Sequence, residues 1–186
     1  MNPNIENIRS ISDFATVYQW SVEFILATTV TGGVPYPASE QLDWRCESHE
    51  IPNASNNAIA VQIRGHKVFQ PGIMDYSNTI ALTFVETVNN MMSNFLRSWR
   101  EACWHSVDGA QHEKLDTDAV IRLVRLNRQL HPIWEYQLRG CWLQSYTQGT
   151  LDGSTSDAMK PNLTIQYDYY LDGLPGQVRV GENPPA

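Results

Sequence analysis

The sequence predicts a mainly β fold, in which two antiparallel sheets form a β-barrel or sandwich with one flanking α-helix. Three observations favour this class. Apolar residues alternate with polar ones in about seven separate segments, which is the period of half-buried strands. One segment changes to the helical period, with apolar residues four apart. A chain of 186 residues, 42% of them hydrophobic, is long enough to bury one core.

Four strands are predicted before the helix. Their alternating apolar residues are Trp20, Val22, Phe24 and Leu26; Leu42, Trp44 and Cys46; Ile59, Val61 and Ile63; and Ile80, Leu82 and Phe84. The polar stretch 47–58, which contains Pro52, predicts a loop. The third strand is expected to reach Phe69, where residues 70–72 predict a turn.

The helix is predicted over residues 89–104, where the apolar period becomes four. Asn89 or Asn90 is suited to be its N-cap, because a short polar side chain can accept a hydrogen bond from the first turn. The expected apolar stripe consists of Met91, Phe95, Trp99 and Cys103.

Alternation returns after a polar loop at residues 106–117, with strands predicted at 119–127, 133–143 and 163–171. In the middle strand, one face is expected to carry Trp134, Tyr136, Leu138 and Trp142, and the other Glu135, Gln137 and Arg139. The chain therefore divides into an N-terminal arm (1–15), one domain (16–172) and a Pro- and Gly-rich tail (173–186).

Composition excludes several classes of protein. There are 20 acidic and 13 basic residues, so the net charge is −7 and no basic tail is available to hold DNA phosphates. No apolar run is long enough for a transmembrane helix, so no membrane anchor is expected. The first ten residues do not resemble a signal peptide. Cys46, Cys103 and Cys141 are widely spaced, which is typical of buried free thiols.

No motif predicts catalysis, a cofactor or a metal. His112-Glu113 begins a zinc-protease pattern, but Asp116 stands where the second His would be needed. Arg122 and Arg125 would point to opposite faces of a strand, so they make no basic stripe. Glu23, Glu135 and Asp168 lie in separate strands, and nothing else in the sequence favours a catalytic carboxylate pair. We therefore expect a structural protein rather than an enzyme.

The order of these segments resembles the tail tube proteins of contractile-tailed bacteriophages. The similarity covers residues 14–172, and it lies in the whole order rather than in one motif. Residues 33–40 and the tail after Asp172 depart from the pattern. The matching stretches are YQWSVEF, LDWRCESHEIP, AIAVQIRGHKVFQPGIMDYSNTIALTFVET, NNMMSNFLRSWREAC, AVIRLVRLNRQLHPIWEYQLRGCWL and KPNLTIQYDYYLD.

The resemblance implies rings, commonly of six subunits, that stack into a hollow tube through which phage DNA passes without tight binding. The implied partners are further copies of the chain, the tail sheath protein, and the baseplate and tail terminator proteins. The implied location is the virion tail, after assembly in the host cytoplasm, and no cofactor is implied. The related type VI secretion tube protein is an alternative, as are, from other classes, a small β-barrel enzyme and a nucleic-acid-binding module.

Two sets of candidate site residues follow from the resemblance. Loops before and after the third strand are expected to reach the next ring, and an acidic or uncharged wall is expected to line the lumen, because it would not hold DNA. The arm and the tail are further candidates for contacts between subunits. The inter-ring candidates are Glu47, His49, Glu50, Asn53, Asn56, Asn57, Gln70 and Asp75, and the lumen candidates are Glu23, Glu135 and Asp168.

Overall fold

The computed structural model describes residues 15–26, 39–149, 151–154 and 156–177. Most of the predicted arm, residues 33–38 and the last nine residues of the tail lie outside the described residues. The elements are β1 (Trp20–Leu26), α1 (Ser39–Arg45), β2 (Cys46–His49), β3 (Ala54–Ile63), β4 (His66–Tyr76), β5 (Thr79–Phe84), α2 (Met91–Cys103), α3 (Lys114–Thr117), β6 (Ala119–Leu126), β7 (Pro132–Thr147), β8 (Asn162–Gln166) and β9 (Tyr169–Gly173).

The body of the molecule consists of two antiparallel sheets that share one long strand. Sheet A contains β1, β6, β7 and β9, and sheet B contains β2, β5, β8 and β7. The strand β7 pairs in sheet A through residues 132–141 and in sheet B through residues 142–147. Gly140 lies at this change of sheet with φ +64, and a Cβ there would meet the Asp168 carboxylate at 2.2 Å. The predicted fold of two antiparallel sheets and a flanking helix is confirmed.

The two sheets do not close into a complete barrel within the described residues, because their edge strands β1 and β2 are not paired with each other. Helix α1 covers this opening. The Asp43 carboxylate accepts a hydrogen bond of 2.6 Å from the backbone N–H of Val22 on the outer edge of β1. The Trp20 ring also contacts the His49 ring edge-on, with centroids 4.6 Å apart. The body is therefore a sandwich with one edge protected by a helix.

The core lies between the sheets and beneath α2. The Phe24 ring lies 6.1 to 6.4 Å from the rings of Phe84, Phe95 and Trp99, and thus joins both sheets to the helix. The predicted helix is confirmed, and Phe95 and Trp99 of the expected stripe are buried, whereas Met91 and Cys103 at its ends are only partly buried. Its buried residues are Met92, Phe95, Leu96, Trp99 and Ala102.

The first turn of α2 is capped by a side chain that lies outside the helix, that of Glu86. Asn90 occupies the N-cap position, as predicted, but has φ 52 and its side chain makes no capping hydrogen bond. The Glu86 carboxylate accepts hydrogen bonds from the backbone N–H groups of Met92 (3.1 Å) and Ser93 (2.7 Å) instead. Partial burial opposes ionisation of Glu86, but these bonds and one from the Ser93 hydroxyl outweigh it, so the pKa of Glu86 is lowered.

Three predicted strands are corrected by the structure. Leu42 belongs to helix α1, and strand β2 begins only at Cys46. Because residues two apart lie on different sides of a helix, Leu42 is buried while Trp44 is 75% exposed. The side of β7 that faces the core changes at Gly140. After it, Cys141 and Leu143 are buried in the core, whereas Trp142 lies on the opposite side of the strand. The predicted closing strand is two strands, β8 and β9, because the chain changes sheet at Asp168.

Candidate assembly surface

Strands β3 and β4 form a hairpin that is a sheet of its own, separate from the body. The turn consists of Arg64 (φ 48) and Gly65 (φ 84). Positive φ at both central residues is the signature of the type I′ turn, whose twist matches that of a hairpin. The sequence prediction was wrong here: residues 54–58 and 70–76 are strand rather than loop, and the chain reverses at Gly65 rather than at residues 70–72.

A β-bulge interrupts the hairpin near its base. The register shifts between Asn56 and Ala58, so that Asn57 lies opposite two residues of β4. One of them is Gly72, where a Cβ would lie 2.6 Å from the Asn57 carbonyl oxygen, so only glycine fits this close approach. Pro71, which has no N–H to donate, is placed beside the bulge. The bulge bends the two strands together at a fixed point.

The hairpin exposes an unusual amount of apolar surface. Every residue from 54 to 71 is exposed, including Ile59 (51%) and Phe69 (62%), and Ile73 is 82% exposed. A two-stranded hairpin without a packing partner is marginally stable in water. Exposed apolar surface of this kind marks an interaction site. The hairpin is therefore a candidate interaction surface.

The two faces of the hairpin differ in chemistry. One face, called the aliphatic face here, carries Ile59, Val61, Ile63 and Val68, with Gln70 opposite Ile59 and His66 opposite Ile63. The other face combines small residues with Phe69, whose ring centroid lies 5.1 Å from the Lys67 ammonium nitrogen. The aliphatic face is the one suited to burial against a protein.

The predicted inter-ring residues fall into two groups. The first belongs to the hairpin, where the side chains are exposed; its members are Asn56, Asn57, Gln70 and Asp75. Asn53, just before β3, is also exposed, and its carbonyl accepts a 2.9 Å bond from the Ser77 N–H. The sequence analysis did not identify the aliphatic face of the hairpin as a candidate site, because the alternation of its apolar residues is typical of a strand with one side buried in the core.

The second group is engaged in the body. Glu47 forms an ion pair of 2.5 Å with Lys160. The Glu50 carboxylate accepts a 2.9 Å hydrogen bond from the Ala81 N–H on the neighbouring strand. His49 is partly buried against Trp20, and burial lowers its pKa. These three side chains therefore stabilise the edge of sheet B, which makes them weaker candidates for an inter-ring contact than the hairpin.

The structure brings two of the three lumen candidates together. On the outward face of sheet A, the Arg122 guanidinium donates to Glu135 at 2.9 and 3.1 Å and to Glu23 at 2.5 Å. The hydrogen bonds that Arg122 donates to Glu135, and then to Glu23, raise the pKa of Arg122. Glu135 is only 3% exposed, although it lies on the outward face. Asp168 is elsewhere, at the bend between β8 and β9, paired with Lys114 at 2.5 Å.

The described residues contain no group of three or more His, Cys, Asp or Glu placed to hold a metal ion. No helix among them is long and apolar enough to cross a membrane. Burial raises the pKa values of Cys46 and Cys141 to about 12, so neither thiol is activated as a nucleophile. The Glu23 and Glu135 carboxylates are both bound by the guanidinium of Arg122.

No protein-family profile and no curated protein matches the sequence. Solved structures do match the fold. A chain in the extended sheath/tube terminator of the PVC extracellular contractile injection system has a TM-score of 0.64 at 15% identity, covering 88% of this chain and 99% of that one. A chain in the extended PVC sheath-tube complex has a TM-score of 0.61 at 15% identity, with 92% and 99% covered. A chain in the six-fold symmetrised baseplate of the anti-feeding prophage has a TM-score of 0.61 at 12% identity, with 87% and 97% covered.

The chain therefore has the fold found in chains of contractile injection particles, over nearly the full length of each compared chain. At the level of the fold, this confirms the resemblance to tail tube proteins on which the sequence analysis relied. The proteins compared are parts of tubes, terminators and baseplates.

Proposed function

We propose that this chain is a structural subunit of the inner tube of a phage tail or a related contractile particle. In this proposal, rings of six copies stack into a hollow tube through which DNA passes, and the chain has no catalytic activity. The observation that carries the proposal is the exposed, apolar hairpin of residues 54–76 on the fold of contractile-particle proteins. A monomer leaves this apolar surface exposed to water, whereas a contact between stacked rings would bury it.

Contacts within a ring are assigned to the sheet edges. β9 pairs only with β7 in the described part of the chain, so one side of Tyr169–Gly173 is open to a neighbour. Pairing there would continue sheet A around the ring and satisfy backbone groups that are otherwise an aggregation hazard. The edge of β1 is less suitable, because Asp43 already occupies the Val22 N–H.

The lumen wall is assigned to the outward face of sheet A. Glu23 and Glu135, two of the three lumen candidates, lie on this face together with Arg122 and Arg139. Two carboxylates and two guanidinium groups balance, so this face offers no net positive charge to DNA phosphates. The wall would therefore let a duplex slide rather than hold it. Asp168, paired with Lys114, lies outside this face.

Contacts between rings are assigned to the hairpin, with Asn53, Asn56, Asn57, Gln70 and Asp75 contributing polar contacts. A head-to-tail contact of this type does not close on itself, so it extends a filament. The proposed remaining partners are a sheath outside the tube, a baseplate at one end and a terminator at the other, which the presence of this fold in such particles supports. The particle tail is the location, after assembly in the host cytoplasm.

The proposal is tested by shortening the hairpin at its bulge. Residues 58–71 are replaced by an Asn-Gly turn, which keeps the pair Asn56 and Met74 and supplies a two-residue loop. Because the removed residues are all exposed and contribute little to the core, we expect nearly unchanged circular dichroism and melting, while electron microscopy shows loss of tubes. The matched control exchanges Arg64-Gly65 for Asn-Gly and keeps the full length. Long tubes from the shortened variant would contradict the assignment of the hairpin.

A further inference from the structure

The described part of the chain ends in a tight turn that directly follows β9. The N–H of Gln177 donates a hydrogen bond of 3.0 Å to the carbonyl of Leu174, and Gly176 has φ +77. Proline at the first central position, here Pro175, and a positive φ at the second are the signature of a type II turn. The chain therefore reverses its direction within residues 174–177, and residue 178 is directed back along β9.

One edge of β9 is not covered by any described strand. β9 pairs with β7 and with no other strand in the described part of the chain. The carbonyl of Leu174, just after β9, bonds to Gln177 in the turn and not to β7, so it lies on the open side. Because backbone groups alternate along a strand, the N–H and C=O groups of Asp172 and Tyr170 face the same side. These groups are available to a further strand.

Residues 178–182, with the sequence Val-Arg-Val-Gly-Glu, fit this edge. Extending the register of the turn outward places Arg179 opposite Asp172 and Val180 opposite Leu171. Asp172 is exposed and forms no ion pair within the described residues, and Leu171 is 39% exposed. Opposite charges and apolar side chains on directly opposed residues stabilise an antiparallel pair. Both partners that β9 leaves unsatisfied are thus present in this segment.

We propose that residues 178–182 pair with β9 of their own chain and occupy the edge assigned to the ring contact, so that a neighbouring subunit displaces them. The displacement rests on the proposed function, whereas the pairing does not. The own chain is favoured over a second copy, because the turn already holds residue 178 beside β9 and closing so short a loop costs little entropy.

The type of turn makes this pairing displaceable. Type II turns splay the two strands of a hairpin, whereas the type I′ turn at Arg64-Gly65 matches their twist. The pairing on β9 is therefore weaker than that between β3 and β4. It protects the edge of a free subunit from unspecific pairing and yields to a neighbour that offers a better-matched strand.

Disulfide formation tests the pairing in full-length, unassembled protein. Leu171→Cys with Val180→Cys joins two residues that are opposed in the register, and the matched control, Leu171→Cys with Arg179→Cys, moves one of them to the other face. Each variant is oxidised at low protein concentration. Peptide mapping identifies the bonds and distinguishes them from bonds to the three native cysteines. We expect the intrachain bond in most molecules of the first variant and its loss in the control.

Assembly tests the displacement. Val178→Gly with Val180→Gly weakens the segment without changing its charge, because glycine is poorly suited to a strand. The matched control, Asn183→Gly with Pro185→Gly, lies beyond the segment. The critical concentration for assembly is measured by sedimentation. We expect about a tenfold decrease for the valine variant, which corresponds to about 1.4 kcal/mol, and little change for the control.

The outcomes separate this inference from the proposed function. An interchain bond in the first disulfide variant, or equal intrachain yields in both, would overturn the pairing within one chain. A critical concentration that the valine variant leaves unchanged or raises would overturn the displacement. If the parent chain does not assemble under any condition but the intrachain bond forms, the proposed function and the displacement fail and the pairing stands.

Discussion

Trp99 packs helix α2 against the core. It is fully buried, its ring lies beside Phe24 and Phe95, and its indole N–H has no hydrogen-bond partner among the described residues. Its stability contribution is therefore apolar packing alone. The exposed Trp44 and Trp104 show that tryptophan content by itself does not identify the core.

We predict that Trp99→Ala lowers the free energy of unfolding by about 3–5 kcal/mol, as expected for a large cavity in a core. Trp99→Phe is the control: it keeps much of the ring volume and removes the unpaired N–H, so its loss should be markedly smaller. Both are measured by denaturant unfolding of the monomeric protein. An alanine variant with the parent's unfolding midpoint would mean that α2 does not pack over Phe24.

At the scale of elements, the capping of α2 shows how a helix start is fixed by a residue outside it. Glu86 lies four residues before the N-cap Asn90, yet its carboxylate accepts hydrogen bonds from the first turn. A negative charge at this position is also favourable to the helix dipole. The ionised form of Glu86 is therefore the stabilising one.

We predict that Glu86→Gln lowers the free energy of unfolding by about 1–2 kcal/mol at neutral pH, the usual contribution of a cap. Because the folded state lowers the pKa of Glu86, its contribution is present above the unfolded value of 4.5 and is lost as pH falls through the folded value. The difference between parent and variant should thus shrink below pH 4.5. A difference that is constant with pH, in urea unfolding, would contradict a role for the charge.

Elements with one strong period were predictable from the sequence, and elements that change partners were not. The spacing of Phe95 and Trp99 predicts α2, and the alternation of Val22 and Phe24 predicts β1, because each has one buried face. The break at Asp168 leaves no signal in the alternation of tyrosines around it. The same alternation occurs whether an apolar face is buried within its own chain or against another subunit, so the sequence does not distinguish the two cases.

The hairpin shows this limit most clearly. Ile59, Val61 and Ile63 have the alternation of a core strand, and their burial belongs to the assembly rather than to the chain. The Arg64-Gly65 turn is a weaker local signal than Pro71-Gly72, so the chain reversal was placed at the wrong glycine. The predicted site therefore included the base of the hairpin and missed its aliphatic face.

At the scale of the whole molecule, the acidic body and the balanced face of sheet A predict weak affinity for DNA. We expect a mixed-sequence duplex to bind at or above the non-specific range of about 10⁻⁴–10⁻⁶ M in dissociation constant at physiological salt. Fluorescence anisotropy of a labelled duplex measures this, with Arg122→Gln as a variant that makes the same face more acidic. A nanomolar, steeply salt-dependent constant would support the nucleic-acid-binding alternative.

The central claim is that the chain is built to assemble, and electron microscopy of the purified full-length protein tests it most directly. Negative-stain images over a range of protein concentrations, with sedimentation of the same samples, should show rings or hollow tubes, at least when the protein is concentrated. Six-fold symmetry in end views is the expected ring number. A monodisperse monomer at every protein and salt concentration would contradict the account, because the exposed apolar hairpin would then have no surface to cover it.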